Sequence, residues 1–244
     1  MIHKVTLTLA LILAGSNQLF GQDTLYVKTA SNIIDGSFIE PYTNKWQVSE
    51  IDASGSKSVV RVWTDYVQVL ELDGVIYLHR IQDLYSPNLE FQESWINIVA
   101  KENLLPKRFS LHNTTGRLLN INFNIDKLAV QDNSNQQSFE PEIINLPEVV
   151  YDWNLYGMLL VGLPFHAGDI YKIPFWSQSQ RSVDHVVATI NGKKTIKTLF
   201  NKSILARKIS TNKGLTFWLI KEKPYIIQIE LQQPNGSILL WEML

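Results

Sequence analysis

Cysteine is absent from all 244 residues. Without disulfides the core alone must hold the fold, and a bacterial lipoprotein anchor, which needs a cysteine at the cleavage site, is not expected. An excess of either charge is also lacking, because 22 Lys and Arg face 23 Asp and Glu. No basic stripe is therefore expected to draw the chain to nucleic acid or anionic lipid. The five histidines include no pair at i, i+4 and no H-E-x-x-H run, so no metal centre is expected. No glycine-rich phosphate loop occurs, and no cofactor is expected.

Long apolar runs are few, and one of them is at the start. His3 and Lys4 precede an apolar stretch from Val5 to Ala14, with small and polar residues after it, as in a secretory signal. The stretch is too short to span a bilayer comfortably. Residues 1–22 are read as a cleaved leader, the alternative being a buried N-terminal helix, and residues 23–244 as one β-rich domain without a linker. Cleavage removes Lys4 and no acid, leaving 21 basic residues against 23 acidic ones. The mature chain is expected in the periplasm or outside the cell, with no integral membrane span.

What the chain does have is period-two patterning. Strands are expected at Leu25–Thr29, Lys45–Asp52, Val59–Leu72, Val75–Ile81, Asn88–Ala100, Lys107–His112 and Leu119–Ile125. In the last of these Leu119, Ile121, Phe123 and Ile125 share one face, and Asn120, Asn122 and Asn124 the other, as in an antiparallel sheet with one wet side. Asp73-Gly74, Asn191-Gly192 and Asn235-Gly236 read as hairpin turns. Gln131–Gln137 reads as a polar loop. Further strands are expected at Ser182–Ile190, Thr195–Asn201, Leu205–Ser210, Leu215–Lys221, Tyr225–Gln232 and Ser237–Leu244. An echo of aromatic strand, Lys-Glu turn, proline, strand, glycine turn and strand links Trp95–Phe123 to Phe217–Trp241, although any two β meanders share such parts.

Val149–Trp176 (VVYDWNLYGMLLVGLPFHAGDIYKIPFW) is organised differently. Its first half has helical spacing and is apolar around most of its girth, so a helix over about 151–163 is expected inside a curved sheet. Pro164 ends it, Ala167-Gly168-Asp169 turns, and Ile170–Trp176 continues as a strand. The expected fold is mainly β: a curved antiparallel sheet, an open half-barrel or barrel-like meander, around one central helix.

The run Tyr151-Asp152-Trp153-Asn154-Leu155 through Gly162-Leu163-Pro164, then Ala167-Gly168-Asp169 and Ile173-Pro174-Phe175, and later Thr216-Phe217-Trp218-Leu219 with Lys221 and Pro224, resembles an exported bacterial family of unknown function. That family is common in Bacteroidetes-type envelopes and is similar to the half-barrels of the lipoprotein carriers LolA and LolB. The resemblance covers roughly residues 145–244. It implies a curved sheet with a helix in its concavity, and it carries no catalytic set onto this sequence.

No catalytic residue is expected from the motifs. Ser54-Gly55-Ser56-Lys57 matches S-x-x-K but lies in a turn, where the helical geometry of that motif is lost. Asp184 and His185 are neighbours in a strand and point to opposite faces. His166 and Asp169 read as a local turn contact, and Glu90, Glu93, Asp126 and Asp132 as solvated strand faces. The seven tryptophans are the remaining lead. Such residues either build the core or line an apolar hollow. In the second case Trp63, Tyr77, Trp95, Trp153, Tyr156, Met158, Trp176 and Trp218 are the candidate ligand contacts. The expectation is a non-enzymatic exported protein that binds a lipid, an acyl chain or an envelope partner. A structural protein pairing through its edge strands is the alternative, and a hydrolase the remotest reading.

Overall fold

Alternating apolar residues and glycine-bearing turns fold this chain, in a computed structural model, into a single continuous sheet curled around one short helix. The structure describes residues 24–28, 33–133 and 140–244. The expected leader, Thr29 of the first expected strand, and part of the polar stretch Gln131–Gln137 lie outside the described residues.

The first half supplies β1 (Thr24–Tyr26), β2 (Tyr42–Ile51), β3 (Lys57–Leu72), β4 (Val75–Tyr85) and β5 (Phe91–Ala100). It continues with β6 (Pro106–Asn113), β7 (Leu118–Phe123), β8 (Lys127–Asp132) and β9 (Glu142–Asn145). A short strand β10 (Tyr151–Asp152) leads through a 3-10 turn (Trp153–Leu155) into helix α1 (Tyr156–Gly162). The second half supplies β11 (Ile170–Ser177), β12 (Ser182–Lys197), β13 (Ser203–Thr211), β14 (Leu215–Leu219), β15 (Ile226–Gln232) and β16 (Ile238–Met243). Neither β8 nor β9 was expected from the sequence, and β8 takes in Gln131 and Asp132, the start of the stretch read as a polar loop.

The sheet runs β1-β11-β12-β13-β14-β15-β16-β2-β3-β4-β5-β6-β7-β8-β9. Two meanders are thus sewn together where β16 pairs with β2, from Ile238 opposite Ile51 to Met243 opposite Trp46. All ladders along this path are antiparallel except that of β1, which runs parallel to β11, as β10 does beside the far end of the same strand. The sheet is thus largely antiparallel, as expected, with its exception at this edge, where chain entering from elsewhere fills the open side of β11. Curling brings β6–β8 to face β11 and β12, so that Phe109, Leu119, Ile121 and Leu128 pack with Val150 and Trp176.

Two local expectations are corrected. Asn191-Gly192 does not turn a hairpin; it lies within β12, at a register shift between Ile190 and Lys193. The reversal comes at Thr198–Lys202, closed by Asn201 N–H to Thr198 O and by Thr198 N–H to Lys202 O. The bulge absorbs the extra residue that the dipeptide would have spent on a turn. Ile125 does not join Leu119, Ile121 and Phe123 on the inner face. It follows the end of β7 and is 78% exposed. By contrast Asp73 (φ 51°) and Gly74 (φ 74°) make the expected tight turn between β3 and β4.

α1 is buried beyond its first residue. Gly157, Met158, Leu159, Leu160, Val161 and Gly162 are all buried, in one cluster with Val27, Ile34, Val67, Leu104, Phe217 and Ile226. Gly162 permits this contact at the helix end, where a Cβ would stand 2.9 Å from Ile34 Cγ2.

Candidate functional site

The helix enters the concavity by way of a buried polar network. Asp65 of β3 and Arg80 of β4 are 0% and 3% exposed and form a two-pronged ion pair, Nε to Oδ1 and Nη2 to Oδ2, both 2.8 Å. Tyr42 adds a hydroxyl donor to Asp65 at 3.2 Å. The third guanidinium nitrogen, Nη1, donates to the main-chain oxygen of Asn154 at 2.9 Å. Asn97 of β5 donates to Asp152 Oδ2 at 2.6 Å and accepts from Asn154 Nδ2 at 2.8 Å. Asp152 also caps the 3-10 turn by accepting from Asn154 N–H at 3.1 Å. Three neighbouring strands thereby fix the entry of the helix, and each buried charge has partners, as burial of charge requires.

The network shifts its own titrations. Burial pushes Asp152 up to about 6, although Asn154 N–H, Asn97 and Arg80 all favour its carboxylate. Burial acts against the Arg80 charge, yet Asp65 outweighs it and holds the guanidinium above its ordinary value. Tyr42 is raised well above the usual phenol range, first by burial and then by Asp65.

Beside this network an apolar cavity of about 290 Å³ remains between the sheet and the first turn of α1. Trp46, Trp63, Trp95, Trp153 and Trp241 line it, with Leu215, Phe217, Ile226, Ile229, Leu231 and Leu239. The indoles meet edge to face: Trp46–Trp63 at 6.4 Å, Trp63–Trp241 at 6.0 Å, Trp63–Trp95 at 5.4 Å and Trp95–Trp153 at 5.2 Å. Such pairs add about 0.5–1.5 kcal/mol each beyond their area burial. The Gln82 carboxamide is satisfied when its oxygen accepts from Trp63 Nε1 (3.2 Å) and Arg80 Nη2 (2.8 Å). Trp46, Trp95 and Trp241 bury Nε1 without an acceptor, so apolar packing holds most of this wall. Gly157 gives the helix its close seat on β15, since a Cβ there would stand 2.5 Å from Ile226 Cδ1. At the lip, Arg61 is exposed and takes part in no ion pair among the described residues.

A second, more polar cleft of about 570 Å³ lies on the other side of Trp153 and Tyr156, which line both spaces. Phe109, Leu111, Phe175 and Trp176 form its apolar part, and Arg117, Asp132, Arg181 and Asp184 its polar part. Tyr156 stands edge-on to Phe175 at 4.3 Å and partitions the two.

Of the eight candidate contacts, the structure gathers Trp63, Trp95, Trp153 and Tyr156 at the cavity and places Trp176 in the cleft. The other three lie elsewhere. Tyr77 sits on the outer face of β4, one position from the buried Leu78. Met158 packs in the core against Tyr42, Val161 and Tyr225. Trp218 belongs to a separate cluster with Ile196, Ala206 and Ile227. Trp46 and Trp241 line the cavity although the sequence singled them out only among the tryptophans at large. Asp65, Arg80, Asn97 and Asp152 were missed. Their signal was a polar residue at an inward position of an apolar strand, as for Arg80, two places from Leu78.

The motif expectations fare as follows. Ser54 and Ser56 are bound by their own turn, donating to Asp52 Oδ1, and Lys57 pairs with Glu242. His166 Nδ1 lies 3.3 Å from Asp169 in the turn. Asp184 and His185 diverge, Asp184 to Lys213 at 2.6 Å and His185 to Glu148 at 3.0 Å and Tyr26 at 2.9 Å. Tyr26 also donates to Glu148 and is pushed up to about 12 by burial and that carboxylate. This cluster fastens β1 to the sheet. It was invisible in the sequence because its members are 122 and 159 residues from Tyr26.

A family model described as a protein of unknown function, DUF3108, matches residues 45–239, which take in most of both meanders and every residue lining the cavity except Trp241. The chain belongs to that family. No curated protein matches this DUF3108 chain. Among solved structures it is similar to a β-barrel-like protein of the DUF1849 domain from Brucella abortus, at 8% identity and a TM-score of 0.49, covering 84% of this chain and 96% of that one. It is also similar to a candidate lipoprotein from Parabacteroides distasonis, at 12% identity and a TM-score of 0.35, covering 88% of this chain and 100% of that one.

Proposed function

We propose that this DUF3108 chain is a non-enzymatic, exported envelope protein that holds an acyl chain in the indole-lined cavity, in the manner of a LolA- or LolB-like carrier. The observation that carries this reading is the unfilled apolar space itself. Packed interiors leave few voids larger than a water molecule, and a dry cavity of about 150 Å³ is enough to take benzene. The body of α1 fills the hollow, but its first turn stops short and leaves about 290 Å³ beneath Tyr156 and Gly157. Arg61 at the lip suits a ligand with an anionic head, because a guanidinium gives a carboxylate or phosphate two parallel hydrogen bonds.

Native mass spectrometry of delipidated protein soaked with mixed lipids tests the proposal. Retention of one acyl-bearing species is expected, together with its loss in Leu231→Trp, which puts an indole into the space. A protein that stays empty with every lipid would sink the carrier reading. The accessory reading is favoured by one observation: among the described residues β9 has a partner on one side only, and its Ile143 is 56% exposed, as a strand awaiting another chain would be. Constant co-purification of one protein with no lipid retained would select it.

A further inference from the structure

The chain's charges balance overall but not locally. Residues 185–221 contain no Asp or Glu and eight Lys or Arg, so all 23 acidic residues lie outside this stretch. Its centre is the far end of the β12–β13 hairpin. β11 covers β12 only as far as Thr189, and β14 covers β13 only from Arg207 to Ser210. Beyond the bulge at Ile190–Lys193 the two strands pair, among the described residues, only with each other and overhang the sheet as an arm.

One face of that arm packs through Ile196, Ile204 and Ala206 on Trp218 and Ile227. The opposite face presents Lys193 across from Arg207, Thr195 across from Leu205, and Lys197 across from Ser203. Leu205 is 59% exposed there, and Phe200 at the tip is 74% exposed beside Lys202. Lys193, Lys197 and Lys202 take part in none of the ion pairs among the described residues, whereas Lys194 lies opposite Ala206 on the packed face and acts on Glu230. Unpaired lysines around two large exposed apolar side chains are the composition of an interfacial anchor, where ammonium groups meet anionic heads and the apolar groups enter the acyl boundary.

We infer that the β12–β13 arm docks this chain on an anionic phospholipid surface, with Phe200 and Leu205 inserted and Lys193, Lys197 and Lys202 against the headgroups. The inference departs from the expectation that no basic stripe would attract the chain to anionic lipid. The uneven charge also orients the molecule, because the acidic remainder is repelled by the surface that draws the arm. A nucleic acid offers the same charge but no apolar layer to receive Leu205 and Phe200. The inference does not depend on what the cavity holds.

Flotation of the full chain with phosphatidylcholine vesicles, with and without phosphatidylglycerol, tests the docking. Binding is expected only with phosphatidylglycerol and is expected to weaken as salt is raised. Each basic residue near such a surface contributes roughly fivefold in affinity, so changing Lys193, Lys197 and Lys202 to glutamine should weaken binding by about a hundredfold. Because those lysines are exposed and unpaired, the variant should keep the parent's circular dichroism and melting temperature. The chain has no cysteine, so Ser203→Cys provides a single labelling site beside Phe200. An environment-sensitive dye there should brighten on anionic vesicles only, and less in Phe200→Ala. Equal binding to neutral vesicles, unchanged binding after lysine neutralisation, or binding to RNA or DNA with none to vesicles would each overturn the inference.

Discussion

At the scale of single residues the polar network decides most. Asp65 and Arg80 satisfy each other out of contact with water, so removing one partner strands a buried charge. Arg80→Met is expected to lower unfolding free energy by about 3–5 kcal/mol in urea titration, with the slope unchanged. Asp152 acts in the opposite sense with pH. Its folded-state value, about 6, lies above that of an ordinary aspartate near 4, so the folded chain binds the proton more tightly than the unfolded one. Its contribution therefore grows as pH falls from about 6 to about 4 and is lost as pH rises through that range, to a limit of about 3 kcal/mol. Relative to Asp152→Asn, the parent should gain stability on acidification across this window in parallel denaturant curves. A parent and variant that keep a constant difference would show the carboxyl to be unperturbed.

At the scale of elements, what matters is how a short helix and several interrupted strands are held in place. α1 has only seven residues and no side-chain N-cap of its own. Its C-terminal carbonyls are met instead by Lys221, whose Nζ donates to Val161 O and, at 2.6 Å, to Leu163 O. The same ammonium lies 4.3 Å from the Phe165 ring centre and 4.9 Å from that of Phe38. Lys221→Met keeps the apolar stem but loses the cap, and is expected to cost about 1 kcal/mol in thermal unfolding. The strands show where periodicity misleads. Ile227, Ile229 and Leu231 alternate in the sequence as if on one face. A register shift between Trp218 and Leu219 sends Ile227 outward to Trp218, while Ile229 and Leu231 line the cavity. Bulges of this kind follow from pairing across strands, which a linear pattern does not encode.

At the scale of the whole molecule the two meanders depend on one another. The seam between β16 and β2, the main core and the cavity wall all draw residues from both halves of the chain. Fragments spanning residues 33–133 and 140–244 should each lack cooperative unfolding alone and regain it when mixed, as read by near-ultraviolet circular dichroism. Independent folding of either fragment would show that the seam joins two finished units.

The sequence by itself determined the strand-rich class, the buried helix and most turn positions, because these rest on local spacing: period two in strands, all-round apolarity in a helix, Asp-Gly where φ must be positive. It also marked the tryptophans as a group, since large aromatic residues in a cysteine-free chain must pack somewhere. Only the tertiary structure decided which tryptophans converge, that Tyr77 and Trp218 lie on the outer face, that Asp65 meets Arg80 and Asn97 meets Asp152, and that one hairpin overhangs the sheet with lysines on its uncovered face. These outcomes depend on register, curl and seam. Each is set by contacts between residues far apart in the chain, where no local pattern carries the information.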